Sequence, residues 1–310
     1  MAPLSKFIAT RVSPRVFGLL AQQSRGMATE KQILNQINAT KNIKKITSSM
    51  KMVSAAKLKG DENRLAVADP FNAWTYNLTS EPMLLEDATF EGLPQKVLIV
   101  PFTTDKGLCG GVNSFISRGV RDMIKKIKED GKDADVVVVG DKGRSQMNRS
   151  VGQHITRSLT EVLSPGTFGL ASCLAQEIIA AGYEDYDAVV LVYNSYVNAA
   201  VYKQMYKVIK KLKTEAEGGE EMLMGEYEFD ADKEEFVSDL NEFVLASQIF
   251  HSFMDGAAAE QSSRMTAMEN ASKNAGELID KLTLRYNRAR QARITTELIE
   301  IISGASALEG

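Results

Sequence analysis

The sequence predicts an α/β, Rossmann-like domain with long N- and C-terminal helices forming an antiparallel coiled coil. Two observations point there. Short, continuous apolar runs, VLIVPF (97–102), VVVV (136–139) and AVVLVY (188–193), alternate with helical patterns at about 113–128 and 168–181. Continuous apolar runs suit strands covered on both faces, and their alternation with helices implies parallel crossovers. On either side of this region the period changes. Residues 31–59 hold neither glycine nor proline, and residues 232–303 hold no proline and only Gly256 and Gly276.

The first 29 residues stand apart. They contain no Asp or Glu, while Lys6, Arg11, Arg15 and Arg25 and several serines lie among apolar residues. That composition reads as a mitochondrial targeting sequence, 1–27, that is cleaved on import; a basic tail without that role is the alternative. Its loss would reduce 37 basic residues to 33 against 40 acidic ones, moving the net charge from -3 to -7. An acidic body argues against general nucleic-acid binding. The 310 residues are 44% apolar and 25% charged, as in ordinary globular chains, and no apolar run is long enough to span a bilayer.

Residues 28–90 are expected to hold the N-terminal coiled-coil helix. Ile43, Ile46, Met50 and Val53 repeat at heptad spacings and are the expected seam. Every charge over 31–59 is positive, from Lys31 to Lys59, which suggests an acidic partner; an ordinary amphipathic surface helix is the plainer reading. Residues 91–231 form the expected globular foot. Within it VYKQMYKVI (201–209) and MGEYEFD (224–230) are expected to pair as a hairpin around GGEE. Residues 232–310 are the C-terminal helix. Its seam runs through 240, 244, 254, 258, 265, 268, 275, 279, 282, 286 and 289, with polar Ser247, His251, Gln261 and Ser272 at the remaining places. A helix of some 65 residues would extend roughly 95 Å and has to project from any small domain.

Motifs for chemistry fail on spacing. The stretch TTDKGLCGGVNSF (103–115) follows a strand, yet it has neither G-x-x-x-x-G-K-[ST] nor G-x-G-x-x-G. Cys109 would need a nearby base to become a nucleophile, and the chain's histidines are His154 and His251. Cys109 is therefore expected to fill a turn and Cys173 to face the core from a helix. Gly107, Gly110 and Gly111 should supply unusual torsions, Asn113 or Ser114 should cap the next helix, and Asp105 and Lys106 either anchor the turn or meet another chain. No cofactor or metal site is expected. The end of the C-terminal helix differs: Arg285, Arg288, Arg290 and Arg293 precede LIEIISGASAL, an apolar run with nothing of its own to cover it. Arginine forks suit carboxylates, and exposed aliphatics suit a socket in another protein.

Those residues carry a resemblance. RITTELIEIISGASA, with Ile294, Thr295, Glu297, Glu300, Gly304 and Ala305 in place, resembles the C-terminal signature of the γ-subunit family of F-type ATP synthases. KNIKKITSSMKMVSAAKL (41–58) resembles that family's N-terminal helix, DKGLCGGVN (105–113) its first strand-loop, and RGMATEKQILNQI the mature start of mitochondrial members. The match runs through essentially the whole mature chain in family order. It implies a central-stalk rotor that carries rotation of the membrane c ring to the α/β hexamer, coupling proton transport to ATP synthesis without catalysing a reaction itself. It also implies δ and ε subunits as neighbours, no nucleic acid, and a place on the matrix side of the mitochondrial inner membrane as a peripheral subunit. Carried over by position, Met50, Lys51, Arg288, Arg290, Gln291, Thr295 and Glu297 would meet the β subunit. The cysteine-bearing insert of chloroplast members is missing, so light-type thiol regulation is not implied. The rivals are a free-standing α/β enzyme that dimerises by its helices, which the absent nucleophile, base and phosphate loop oppose, and a coiled-coil scaffold of another complex.

Overall fold

The computed structural model describes residues 30–85, 90, 92–162, 166–211 and 232–309. The expected targeting segment and the expected strand 224–230 lie outside them. The described elements run α1 (Glu30–Asn72), a 3-10 turn (Ala73–Asn77), β1 (Met83–Leu84), β2 (Lys96–Pro101), α2 (Val112–Glu129), β3 (Asp133–Val139), α3 (Asp141–Val151), β4 (Ile155–Leu159), α4 (Phe168–Ala180), β5 (Ala188–Asn198), β6 (Val201–Lys210) and α5 (Lys233–Glu309). They divide into two compact units. One holds the residues up to Ile46 with those from Ala271 onward, and the other is Thr47–Asn270.

In the larger unit six strands form one mixed sheet in the order β1-β6-β5-β2-β3-β4. β5, β2, β3 and β4 are parallel, and β6 and β1 extend the sheet antiparallel. Side chains alternate between faces with period two. Val97, Ile99, Val136, Val138, Val190 and Val192 meet α2 through Ile116, Val120, Met123 and Ile127 on one face. Leu98, Val100, Val137, Val139, Val189 and Leu191 meet Ala171, Leu174 and Ile178 of α4 and Leu245 and Ile249 of α5 on the other. Both layers exclude water, which is why these strands read as unbroken apolar runs.

The described hairpin is one the sequence did not suggest. β6 pairs along its length with β5. The turn between them closes where Asn198 Oδ1 accepts the N–H groups of Ala200 and Val201, each at 2.9 Å. Polar Asn194 and Ser195 interrupt the apolar run, so the sequence suggested that β5 ended near Tyr193, five residues early.

α1 also departs from its expected seam. Ile43, Ile46 and Val53 are exposed and Met50 is half-buried. The buried positions are Ile33, Ile37 and Thr40 in the smaller unit and Thr47, Ser54, Leu58, Asp61, Leu65 and Ala68 in the larger. That is a regular heptad alternation, and Ile46 and Val53 each sit one residue, about 100° of helix turn, before one of its members. In the larger unit Leu58, Leu65 and Ala68 of this alternation pack with Met254 and Ala258 of α5. Pairing is antiparallel inside each unit. In the larger one Lys51 bridges Glu269 (3.1 Å) and Asp69 meets His251 (3.0 Å), so eighteen residues forward on α1 match eighteen back on α5. In the smaller, Ile33 and Ile37 cluster with Leu282, Tyr286 and Ala289.

Candidate partner interface

The strand-to-helix loop at 103–115 has its polar groups turned inward. Asn113 Oδ1 accepts the Thr104 N–H (2.9 Å), and its amide donates to Thr104 Oγ1 (2.8 Å) and to Cys109 Sγ (3.3 Å). Cys109 is buried, and its carbonyl accepts the hydroxyl of Ser263 on α5 at 2.7 Å. Arg264, in a buried pair with Glu260, also donates to the Gly107 carbonyl at 3.5 Å. Gly110 has φ +63, and a Cβ there would lie 3.0 Å from Ser263 Oγ, so glycine is required for both torsion and approach. Gly111, in contrast, has an ordinary φ of -89 and is itself the N-cap of α2, without a side-chain cap. Asn113 is thus a loop clasp rather than the cap expected of it. Asp105 anchors the turn: its Oδ1 accepts the N–H of Asp141 (2.9 Å) at the start of α3, where Arg144 and Lys142 hold the Asp141 carboxyl below the usual range.

His154 Nδ1 lies 3.0 Å from the Ala134 carbonyl and His251 beside Asp69, so neither histidine serves Cys109. Cys173 is exposed, not core-facing: α4 turns Ala171, Leu174, Ala175 and Ile178 to the sheet, and residue 173 falls on the opposite side. Among the described residues no group of three or more His, Cys, Asp or Glu is placed to hold a metal ion. Nor, among them, is any helix long and apolar enough to cross a membrane.

The end of α5 behaves differently from every other helical segment. Its last half-buried residue is Ala289, and residues 290–308 are all exposed. Ile294, Leu298, Ile299, Ile301 and Ile302 are each more than half exposed, and Leu308 is 90% exposed. Glu30 holds the helix where this stretch begins. Its carboxylate takes the Arg293 Nε at 2.8 Å and hydrogen-bonds Tyr286, which raises the Tyr286 hydroxyl pKa. Glu30 was missed from the sequence; its signal is an acid opening the first turn of a long helix.

The expected partner residues separate into two groups. Arg288, Arg290, Gln291, Thr295 and Glu297 lie on α5 in the smaller unit, all exposed. Arg288, Gln291 and Thr295 fall three and seven residues apart and share one face, and Thr295 Oγ1 donates to the Gln291 carbonyl (2.9 Å). Arg290 and Glu297, also seven apart, share another, where Glu297 lies 3.7 Å from Arg293. Met50 and Lys51 belong to the larger unit, and Lys51 is engaged by Glu269 of its own chain. Part of the positive charge of α1 is therefore met within the molecule, while Lys41, Lys45 and Lys57 remain exposed.

Comparison with known proteins agrees with this architecture. Residues 29–308 match the family described as ATP synthase. The chain is 44% identical over 291 residues to the mitochondrial ATP synthase subunit gamma of Drosophila melanogaster, covering 94% of each. It is 39% identical over 285 residues to the mitochondrial ATP synthase F(1) complex subunit gamma of Rattus norvegicus, covering 91% of this chain and all of that one. Among solved structures it resembles a chain of the central stalk and c ring of the Tetrahymena thermophila mitochondrial ATP synthase. The TM-score is 0.59 at 29% identity, over 73% of this chain and 99% of that one.

Proposed function

We propose, from the premise that this chain belongs to the γ-subunit family of ATP synthase, that its work is mechanical and that bond chemistry is left to other subunits. It is a central-stalk rotor subunit, transmitting rotation of the membrane c ring to the catalytic hexamer and coupling proton transport to ATP synthesis. The chain works in mitochondria, as its relatives' names indicate. The finer assignments are our reading: α and β subunits around the helices, δ, ε and the c ring against the α/β domain, and a peripheral position on the matrix side of the inner membrane. Residues 1–27 would direct import and be removed.

A rotor must present an element that stays intact under load and makes unequal contacts with otherwise equivalent sites. α5 is one uninterrupted helix of 77 residues. The observation that carries the reading is its uncovered aliphatic end, Ile294 to Leu308, preceded by arginines. Aliphatic side chains there gain burial only in a socket supplied by another chain, and the arginines can pair with carboxylates at its rim. In this reading Arg288, Arg290, Gln291, Thr295 and Glu297, with Met50 and Lys51 of α1, face β.

The test is cysteine cross-linking in intact membranes. Ile294→Cys should give an adduct with β whose yield changes when a proton-motive force is applied. An α5 end that never cross-links to β, in energised or de-energised membranes, overturns the assignment.

A further inference from the structure

Well before its bare end, α5 carries five consecutive polar residues that are all buried. Glu260, Gln261, Ser262, Ser263 and Arg264 are each at most 8% exposed. A helix enclosed on every side is normally apolar on every side. Here the enclosing groups are largely backbone of the α/β domain. Asp255 Oδ1 accepts the Tyr196 N–H near the end of β5 at 2.6 Å. The Ser262 hydroxyl donates to the Ala199 carbonyl in the β5–β6 turn at 2.9 Å. Ser263 donates to the Cys109 carbonyl (2.7 Å) and Arg264 to the Gly107 carbonyl (3.5 Å), both in the strand-to-helix loop. Leu58, Leu65 and Ala68 of α1 close a further side against Met254 and Ala258. All of these residues belong to the larger unit.

We infer that this polar collar fixes the angle of α5 about its own axis within the α/β domain, and that Ser262 and Ser263 are positioning residues for torque. The inference rests on the rotor reading proposed above, which names no residue that ties the shaft to the domain that turns it.

The helix geometry carries the argument. Successive residues of an α-helix point about 100° apart. Asp255 and Ser262, seven positions apart, share a side, and Ser263 is turned about 100° from Ser262. The helix is therefore gripped from two directions by two separate loops. Apolar packing alone would hold it less firmly in angle, because the hydrophobic effect has no direction. Hydrogen bonds weaken steeply as their angle leaves the optimum. A buried hydroxyl or carbonyl that loses its partner then carries its full desolvation penalty. Turning α5 by one residue's angle would break both serine bonds and leave the Ser263 hydroxyl and the Cys109 carbonyl unpaired in the interior. The collar thus has one favourable angle, as a joint that passes torque requires. Gly110 fits the same design, since a Cβ there would lie 3.0 Å from Ser263 Oγ and press on that bond.

The test uses the catalytic hexamer with its central stalk, fixed to a surface through the hexamer, with a gold particle on the exposed Cys173 of this chain. When a non-hydrolysable ATP analogue arrests the hexamer, the angular spread of the particle reports how tightly the domain is tied to α5. Ser262→Ala and Ser263→Ala should each widen that spread, and the double change should widen it most. Leu65→Val trims apolar packing against α5 and leaves every collar hydrogen bond in place. It should keep the wild-type spread even where its melting temperature falls as far as that of the serine variants. No widening in the double variant, or equal widening by Leu65→Val at an equal loss of melting temperature, overturns the collar alone. A wild-type particle that never turns when ATP is added overturns the rotor reading, and the collar with it.

Discussion

The sheet of the larger unit and the end of α5 are made from the same kinds of residue and use them in opposite ways. Val, Ile and Leu of β2, β3 and β5 are covered on both faces by helices of their own chain, down to no exposure at Val97, Leu98, Ile99 and Val190. Ile294, Leu298, Ile299, Ile301 and Ile302 have no such cover. Burial within the chain stabilises the fold, whereas apolar surface held in reserve stabilises an assembly. The difference separates the two regions: the sheet supplies stability without a partner, and the helix end, in the reading proposed above, is kept for affinity.

The contrast can be attacked from either side. Leu191→Ala, in the centre of the sheet, should destabilise the fold by about 2–5 kcal/mol, read from denaturant unfolding. A loss under about 1 kcal/mol would mean that the sheet is not the stabilising region. Gly140→Ala should cost about 1–3 kcal/mol, because φ there is +100 and the new Cβ would sit 2.4 Å from the Thr103 carbonyl oxygen.

The stability of the wild type relative to Lys207→Met should rise on going alkaline. Burial lowers the folded pKa to about 8 from 10.5. Between those values the unfolded chain binds more protons than the native one, so wild-type stability rises with pH there while that of the variant lacks this contribution. Thermal melts at pH 7 and 10 check the sign. Arg293→Ala removes a half-exposed bridge to Glu30 and should cost under about 1 kcal/mol.

The smallest effect on folding should come from Ile301→Ser with Ile302→Ser, within about 0.5 kcal/mol of wild type. The same double change should lower coupled ATP synthesis in the assembled complex. Unimpaired coupling would break the comparison with which this section began.

The parallel sheet was legible because burial on both faces writes itself as unbroken runs such as VVVV. α5 was legible because Val244, Met254, Met268 and Leu282 mark its seam with large apolar residues that are buried. α1 was misread for the converse reason. Its buried seam contains Thr40, Thr47 and Ser54, which are polar, and apolarity alone favoured the exposed neighbours. β4, ITRSL, left no trace: it is an edge strand with no fully buried residue, and it pairs with β3 across an irregular register. For the candidate interface, the arginine cluster and the aliphatic run were readable by composition. The bridge from Lys51 to Glu269 was not, because the two stand more than two hundred residues apart in sequence.

The bare end of α5 has a consequence for the chain's life before assembly. A newly made copy displays several adjacent isoleucines and leucines to every other hydrophobic surface nearby, and such surface is an adhesion hazard. Chaperones and proteases read that same feature, so a copy left without partners is selectively removed. On this reading, the amount of this subunit in a cell should follow the supply of the subunits that cover it more closely than its own synthesis.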